Sequence, residues 1–283
     1  MFQISQCVES VDDHRTSAQQ TEAPQAATGA TGSRDLSRAS APVKHLAGVA
    51  TFRGAAPAAV ILAFLLLAVS LVFSNPPGAS PDELAHYLKA VAAGRGDLVL
   101  APAPPADPAA ETRVQWMKEQ SGVVEIPARL TPMPFECWAH PDFLGRCSAA
   151  IPPGETIELE TYVGSYPPFA YLLPGLLMRA AGDSVTALIT GRIGILAICL
   201  ALLGAAAFAL YERGRPRYLL GLICAVSPAV LITAASVSNS GVEVASAICF
   251  FACLLRLARS GSPGWVWVAG GISGAALALA RDL

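Results

Sequence analysis

Asp82, Glu83 and His86 lie within one and a half helical turns of each other, and no other residues of this chain are so suited to proton transfer. A carboxylate can take a proton from a hydroxyl or hold a cation. A histidine one turn on can orient that acid or meet a phosphate. The same residues have a plainer reading. In Ser80-Pro81-Asp82-Glu83 the serine is placed as an N-cap, the proline as a first-turn residue and the glutamate as the returning half of a capping box. Acids in a first turn also stabilise the helix dipole with no chemistry required. The two readings coexist if one acid caps and the other stays free.

Further polar residues sit near apolar stretches. Glu243 follows Asn239 by one turn at the head of an apolar run. Carboxylates in such places are functional candidates, although Ser240-x-x-Glu243 also matches a capping box. Arg192 stands near the start of another run and Arg281 at the end of the last. Each could meet a phosphate or simply snorkel to headgroups. Tyr166, Phe169 and Tyr171 are placed for headgroup level.

The elements that must position these residues are membrane helices. Hydrophobic residues make up 53% of the 283 and charged residues 14%, against roughly 25% charged in soluble domains. Mean hydropathy is +0.49. A net charge of −2 gives no footprint for nucleic acid. A span needs about 20 mostly apolar residues. Ala55–Phe73, Ala187–Leu210, Tyr218–Ser236, Val242–Leu257 and Trp265–Ala280 qualify, the last two being short. The fold class is therefore an all-α polytopic membrane protein of about five transmembrane helices. Arg34, Arg38, Lys44 and Arg53 precede the first span, Arg213, Arg215 and Arg217 lie between the second and third, and Arg256 and Arg259 follow the fourth. By the positive-inside rule these segments are cytoplasmic, with the N-terminus. Pro167–Ala181 is apolar but short and proline-broken, which predicts an interfacial or re-entrant element.

The resulting organisation is a disordered cytoplasmic tail over 1–54, a first transmembrane helix over 55–73, an extracytoplasmic loop over 74–186 and a four-helix membrane region over 187–283. In the loop, Leu84, Tyr87, Leu88 and Val91 form one apolar helical stripe. That predicts an amphipathic interfacial helix with Asp82, His86 and Lys89 turned to water, ended by Gly94 and Gly96. The proline-rich remainder is expected to lack long regular elements. Cys137 and Cys147 could close a disulfide in an oxidising compartment, worth about 2–3 kcal/mol in the chain-entropy model. The alternative is free thiols, or metal ligands with His140. Gly270 and Gly274 are spaced for close helix packing. No nucleotide-binding or zinc-protease motif occurs in the sequence.

The run Asn75-Pro76-Pro77-Gly78-Ala79-Ser80-Pro81-Asp82-Glu83-Leu84-Ala85-His86-Tyr87 resembles the opening of the membrane-protein family known as domain of unknown function 2142. Tyr166-Pro167-Pro168, Ser238-Asn239-Ser240-Gly241 before Glu243, and the cysteine pair fit the same pattern, over roughly residues 55–283. Such proteins look like relatives of GT-C-type glycosyltransferases, multi-span enzymes that take sugar from a polyprenyl-phosphate donor. The resemblance implies that Asp82 or Glu83 is a general base on an acceptor hydroxyl or holds a divalent metal ion, with His86 beside it. Glu243, Asn239, Arg192 and Tyr166 would bind substrate. It also implies a bacterial plasma membrane, a lipid-linked sugar donor and a glycan or lipid acceptor. Relatives of that type have more spans, so a C-terminally truncated product is expected. The competing expectations are a non-catalytic assembly or binding subunit (or an inactive fragment) and a transporter, for which paired charges deep in the spans are wanting. A real site should bring Asp82, His86 and Glu243 to one outward cavity.

Overall fold

The computed structural model describes residues 55–132, 156–212, 215 and 217–280. The proposed tail and the Cys137–Cys147 pair lie outside the described residues, as does Arg281. Among the described residues, three helices are long and apolar enough to cross a membrane. They are α1 (Ala55–Ser74), α5 (Ser184–Leu210) and α8 (Asn239–Leu257). The remaining membrane-type helices are α6 (Arg217–Ala225), α7 (Pro228–Ala234) and α9 (Gly264–Ala278).

Helix α5 is the centre of the packing, with α1, the short helix α4 (Leu172–Met178) and α8 against it and α9 against α8. At 27 residues it is ~40 Å long, more than the hydrocarbon thickness. Asp183 starts it, accepting from the Thr186 N–H at 2.9 Å and the Thr186 hydroxyl at 2.7 Å. Those bonds hold the Asp183 carboxyl below its ordinary value of 3.8.

The third expected span is not one straight helix. Helices α6 and α7 meet at 65°, because Ser227 caps a new helix whose first residue is Pro228. The fifth expected span is a 15-residue helix, α9, short of a full crossing by length. Its small residues pack as expected. A Cβ added at Gly270 would stand 3.3 Å from the Cys253 Cβ of α8.

The segment after α1 holds more regular structure than its prolines suggested. Helix α2 (Glu83–Arg95), helix α3 (Thr112–Gln120) and a three-stranded antiparallel sheet occupy it. The strands are β1 (Ala101–Pro102), β2 (Gly122–Pro127) and β3 (Thr156–Thr161), in the order β1-β2-β3 with Val124 opposite Leu159. Val124 and Ile126 are buried while Glu125, Glu158 and Glu160 are exposed, the alternation of a half-buried sheet. A short helix, α4 (Leu172–Met178), follows at seven residues, too few to span.

Helix α2 corrects the expectation of an acid face turned to water. Of the three residues expected in water only Asp82 is exposed; His86 and Lys89 are buried, as are Glu83 and nearly every residue as far as Gly94. Polar ties fix it to the sheet side. Thr161 donates to the Ala85 carbonyl at 2.9 Å, and the Tyr87 hydroxyl to the Leu130 carbonyl at 2.8 Å. The Lys89 amine donates to the Gly164 carbonyl at 2.7 Å. On its other side α2 touches α4 backbone to backbone. A Cβ at Gly94 would stand 2.1 Å from the Gly175 carbonyl oxygen. Gly94 is thus a packing residue, and Gly96 alone ends the helix. At φ 103° its N–H reaches the Ala93 carbonyl and the Asp97 N–H reaches that of Ala92, a Schellman motif.

Candidate functional site

The acids at the head of α2 have opposite environments, and the turn before the helix explains why. The Glu83 N–H donates to the Ser80 carbonyl at 3.3 Å. Pro81 and Asp82 are the corner residues of this turn, and Asp82 has φ 60° and ψ 3°. That is the geometry of a type II turn, whose third position ordinarily takes glycine. Among the described residues Asp82 is the only non-glycine with positive φ. The expected capping box is absent. Ser80 accepts from the Asn75 side-chain amide at 2.6 Å instead of capping α2, and Asp82 makes no side-chain cap bond.

Glu83 is fully buried and committed to other elements. Its carboxylate accepts from Arg192 Nε at 2.8 Å and Nη2 at 2.7 Å, a bidentate fork. It also accepts from the Val237 backbone N–H at 3.0 Å. The rest of the guanidinium donates to carbonyls of the first span and its exit: Val72 at 2.9 Å, Asn75 at 2.7 Å and Pro76 at 3.1 Å. Arg192 is 1% exposed. The pair therefore joins the end of α1, the start of α2, the body of α5 and the approach to α8.

Asp82 stays exposed, beside a group of rings. His86 Nδ1 is 2.7 Å from the Tyr171 hydroxyl, which donates to it or accepts from it according to the tautomer. The His86 ring stacks on Tyr171 at 5.8 Å and lies tilted against Tyr166 at 6.0 Å. Burial lowers His86 from the ordinary 6.5 to about 4, against the upward pull of the Asp82 charge. The ring is thus neutral near pH 7. Tyr162 also lies close to Asp82. Burial raises its phenol, and the adjacent Asp82 carboxylate raises it further. The Tyr162 hydroxyl nevertheless has no hydrogen bond of good geometry among the described residues. We take the two groups as close but not bonded.

Asn239 and Glu243 sit at the head of α8, whose cap is Ser238 rather than Ser240. The Ser238 hydroxyl accepts from the Ser240 N–H at 3.1 Å. Glu243 thus falls in the second turn, beyond capping-box position, and is half-buried. Asn239 is buried, donates its amide to the Ala280 carbonyl and leaves its own carbonyl oxygen without a hydrogen bond among the described residues. Two surface clefts, of about 230 and 440 Å³, open on the sheet side, and neither is lined by Asp82, His86 or Glu243. Neither of these two clefts therefore joins those three.

The family model described as "Predicted membrane protein (DUF2142)" matches residues 64–283. The chain belongs to this family. No curated protein and no solved structure matches it. The DUF2142 match covers all the described candidate residues, from Asp82 to Glu243. Among the described residues, no group of three or more His, Cys, Asp or Glu side chains could hold a metal ion. At the DUF2142 turn, Glu83 is already bonded to Arg192 and His86 to Tyr171, so Asp82 is the one acid of the pair left to a cation. These residues do not make a metal cage. Sequence reasoning missed Tyr162 and the partnership of Glu83 with Arg192. The alternation around Thr156–Thr161 was the available signal for the first. Nothing local signalled the second.

Proposed function

We propose that this chain is a GT-C-like membrane glycosyltransferase that uses a polyprenyl-phosphate-linked sugar at the outer face of a bacterial plasma membrane. In this reading Asp82 is the general base and Glu83 is its structural anchor. The observation that carries the proposal is the contrast within the pair. Glu83 has every strong bond it can make inside the protein, whereas Asp82 is exposed and held in a backbone conformation that costs about 1–3 kcal/mol. Glycine would relieve that cost. A side chain kept there at such expense points to a use for its carboxylate.

The chemistry is a displacement at the anomeric carbon. The acceptor hydroxyl oxygen forms the new bond, the bond to the phosphate oxygen breaks, and the acceptor proton passes to Asp82. Polyprenyl phosphate leaves. Charge distribution agrees with an outer site: Arg215, Arg217, Arg256 and Arg259 cluster at the opposite ends of α5, α6 and α8, the side the positive-inside rule makes cytoplasmic.

The test is a pair of variants assayed in reconstituted membranes for transfer from a panel of polyprenyl-phosphate sugars. Asp82→Gly should raise thermal stability by about 1 kcal/mol and lower transfer by about 10²–10⁴-fold. Asp82→Asn should lower transfer equally without that gain. Full transfer by both would leave Asp82 a turn residue and place the base elsewhere, and no transfer by the parent from any donor would leave the protein a non-catalytic subunit.

A further inference from the structure

The smaller cleft, of about 230 Å³, lies between the middle of α2, the end of α3 and the loop leading to α4. Its walls are fixed by bonds independent of any ligand. Lys89 reaches across its floor to the carbonyls of Leu98 at 3.2 Å and Gly164 at 2.7 Å. The Ser165 N–H donates to the Gln120 carbonyl at 3.1 Å, and the Ala103 N–H to that of Ser121 at 3.0 Å. Gly122 and Gly164 meet backbone to backbone. A Cβ on Gly164 would stand 2.3 Å from the Gly122 nitrogen. The cleft is therefore preformed.

Besides Lys89 and Ser121, the polar side chains lining it are Glu119, Gln120, Ser165 and Tyr166. Tyr166 is half-buried and has two roles. It is a wall of the cleft, and its ring touches His86, next to Asp82. Glu119 is exposed and makes no ion pair with any described residue. Its carboxylate opposes an anionic ligand, and the two carbonyls on the Lys89 amine temper the only cation among the lining residues. An aromatic face, a carboxylate and an amide suit a neutral polyhydroxylated ring. The ring's apolar face packs on the tyrosine while its hydroxyls donate to the acid. The volume is below that of pockets for drug-sized ligands, which start at about 300 Å³, and admits one ring rather than a chain.

We propose that this cleft is a monosaccharide-binding subsite, with Tyr166 as its platform and Glu119 as its hydroxyl acceptor. Its place in a reaction rests on the transferase reading of Asp82; binding itself does not. Saturation-transfer NMR on the full chain in lipid nanodiscs tests it, with free glucose, galactose, mannose, rhamnose and N-acetylglucosamine as probes and inorganic phosphate as the contrasting arm. At least one sugar should bind, and phosphate should not compete with it. Glu119→Gln and Tyr166→Ala should each weaken binding about tenfold, the scale of one charge-assisted bond or one ring contact. Tyr166→Phe should keep it, and so should Asp82→Asn. Glu119 is on an exposed helix position, so Glu119→Gln decides the matter if Tyr166→Ala fails to fold. No sugar signal, displacement by phosphate, or unchanged binding in Glu119→Gln would overturn the proposal. Sugar binding without transfer by the parent from any polyprenyl-phosphate sugar would sink the transferase reading and leave the subsite standing.

Discussion

The two ends of the membrane region each carry an acid paired with arginine, and the contrast between them shows how much context decides what a charge does. At one end Glu83 and Arg192 are almost wholly buried, forked at 2.7 and 2.8 Å and surrounded by backbone partners. At the other end Glu212 is 3.6 Å from Arg215 and 3.5 Å from Arg259, with all three partly in solvent. Neither surface contact has the geometry of a hydrogen bond, and the Arg259 guanidinium instead lies 4.1 Å over the Tyr218 ring. In the buried pair every charge has a full set of partners, so removing any one leaves the others unsolvated. In the surface cluster the side chains are partly solvated, so water replaces much of what is removed, although Glu212 Oε2 and Arg259 Nη1 are themselves shielded.

The sharpest way to break the contrast is at Arg192. Arg192→Met strands the Glu83 carboxylate in a site without water and frees the carbonyls of Val72, Asn75 and Pro76. Breaking a buried pair in this way costs about 3–5 kcal/mol. Thermal unfolding of the purified protein in detergent should show that loss, or the variant should fail to accumulate. Combining it with Glu83→Met should recover part of the loss, since two apolar residues leave no charge behind. A single variant as stable as the parent would mean that the pair does not tie the elements together.

His86 extends the comparison to a buried ionisable group with no countercharge bonded to it. Its folded value of about 4 is below the ordinary 6.5, so below pH 6.5 the unfolded chain binds this proton and the folded chain does not. The contribution is fully present above about pH 6.5 and is lost as pH falls towards 4. The difference amounts to about 3 kcal/mol. Between pH 7 and pH 4.5 the parent should therefore lose about 2–3 kcal/mol more stability than His86→Gln does. Equal losses would show that the ring is already protonated or solvated in the folded protein.

Local sequence revealed the apolar helices and little of what joins them. α1, α5 and α8 were legible because length and hydropathy act within one segment. The bend at Ser227-Pro228 carried an N-cap and proline signal, but a continuous apolar run masked it. At Ser80-Pro81-Asp82-Glu83 the same residue types that make a capping box also make a type II turn, and the long-range bonds of Glu83 to Arg192 and Val237 select the turn. Arg192 lies 109 residues away. No spacing rule predicts such a bond, because it exists only when α2 is packed between the sheet, α4 and α5. The strands were missed for a related reason. β2 and β3 are six residues each, flanked by proline-rich sequence, and their alternation has meaning only once they are paired in register.

The surface cluster gives the smallest effect and the control for all the others. Glu212→Gln removes two contacts at 3.5 and 3.6 Å whose partners keep other interactions, Arg259 with Tyr218 among them. Exposed pairs of this kind contribute about 0–1 kcal/mol, and this one stands at the weak end because the contacts are long and solvent screens them. The expected loss is under about 0.5 kcal/mol in low salt. It should vanish near 1 M salt, where the screening length is about 3 Å. Arg192→Met should keep its full effect under the same conditions, since salt does not enter a buried fork. If instead Glu212→Gln proved as damaging as Arg192→Met, and as indifferent to salt, then geometry would not be what separates the two ends of this protein.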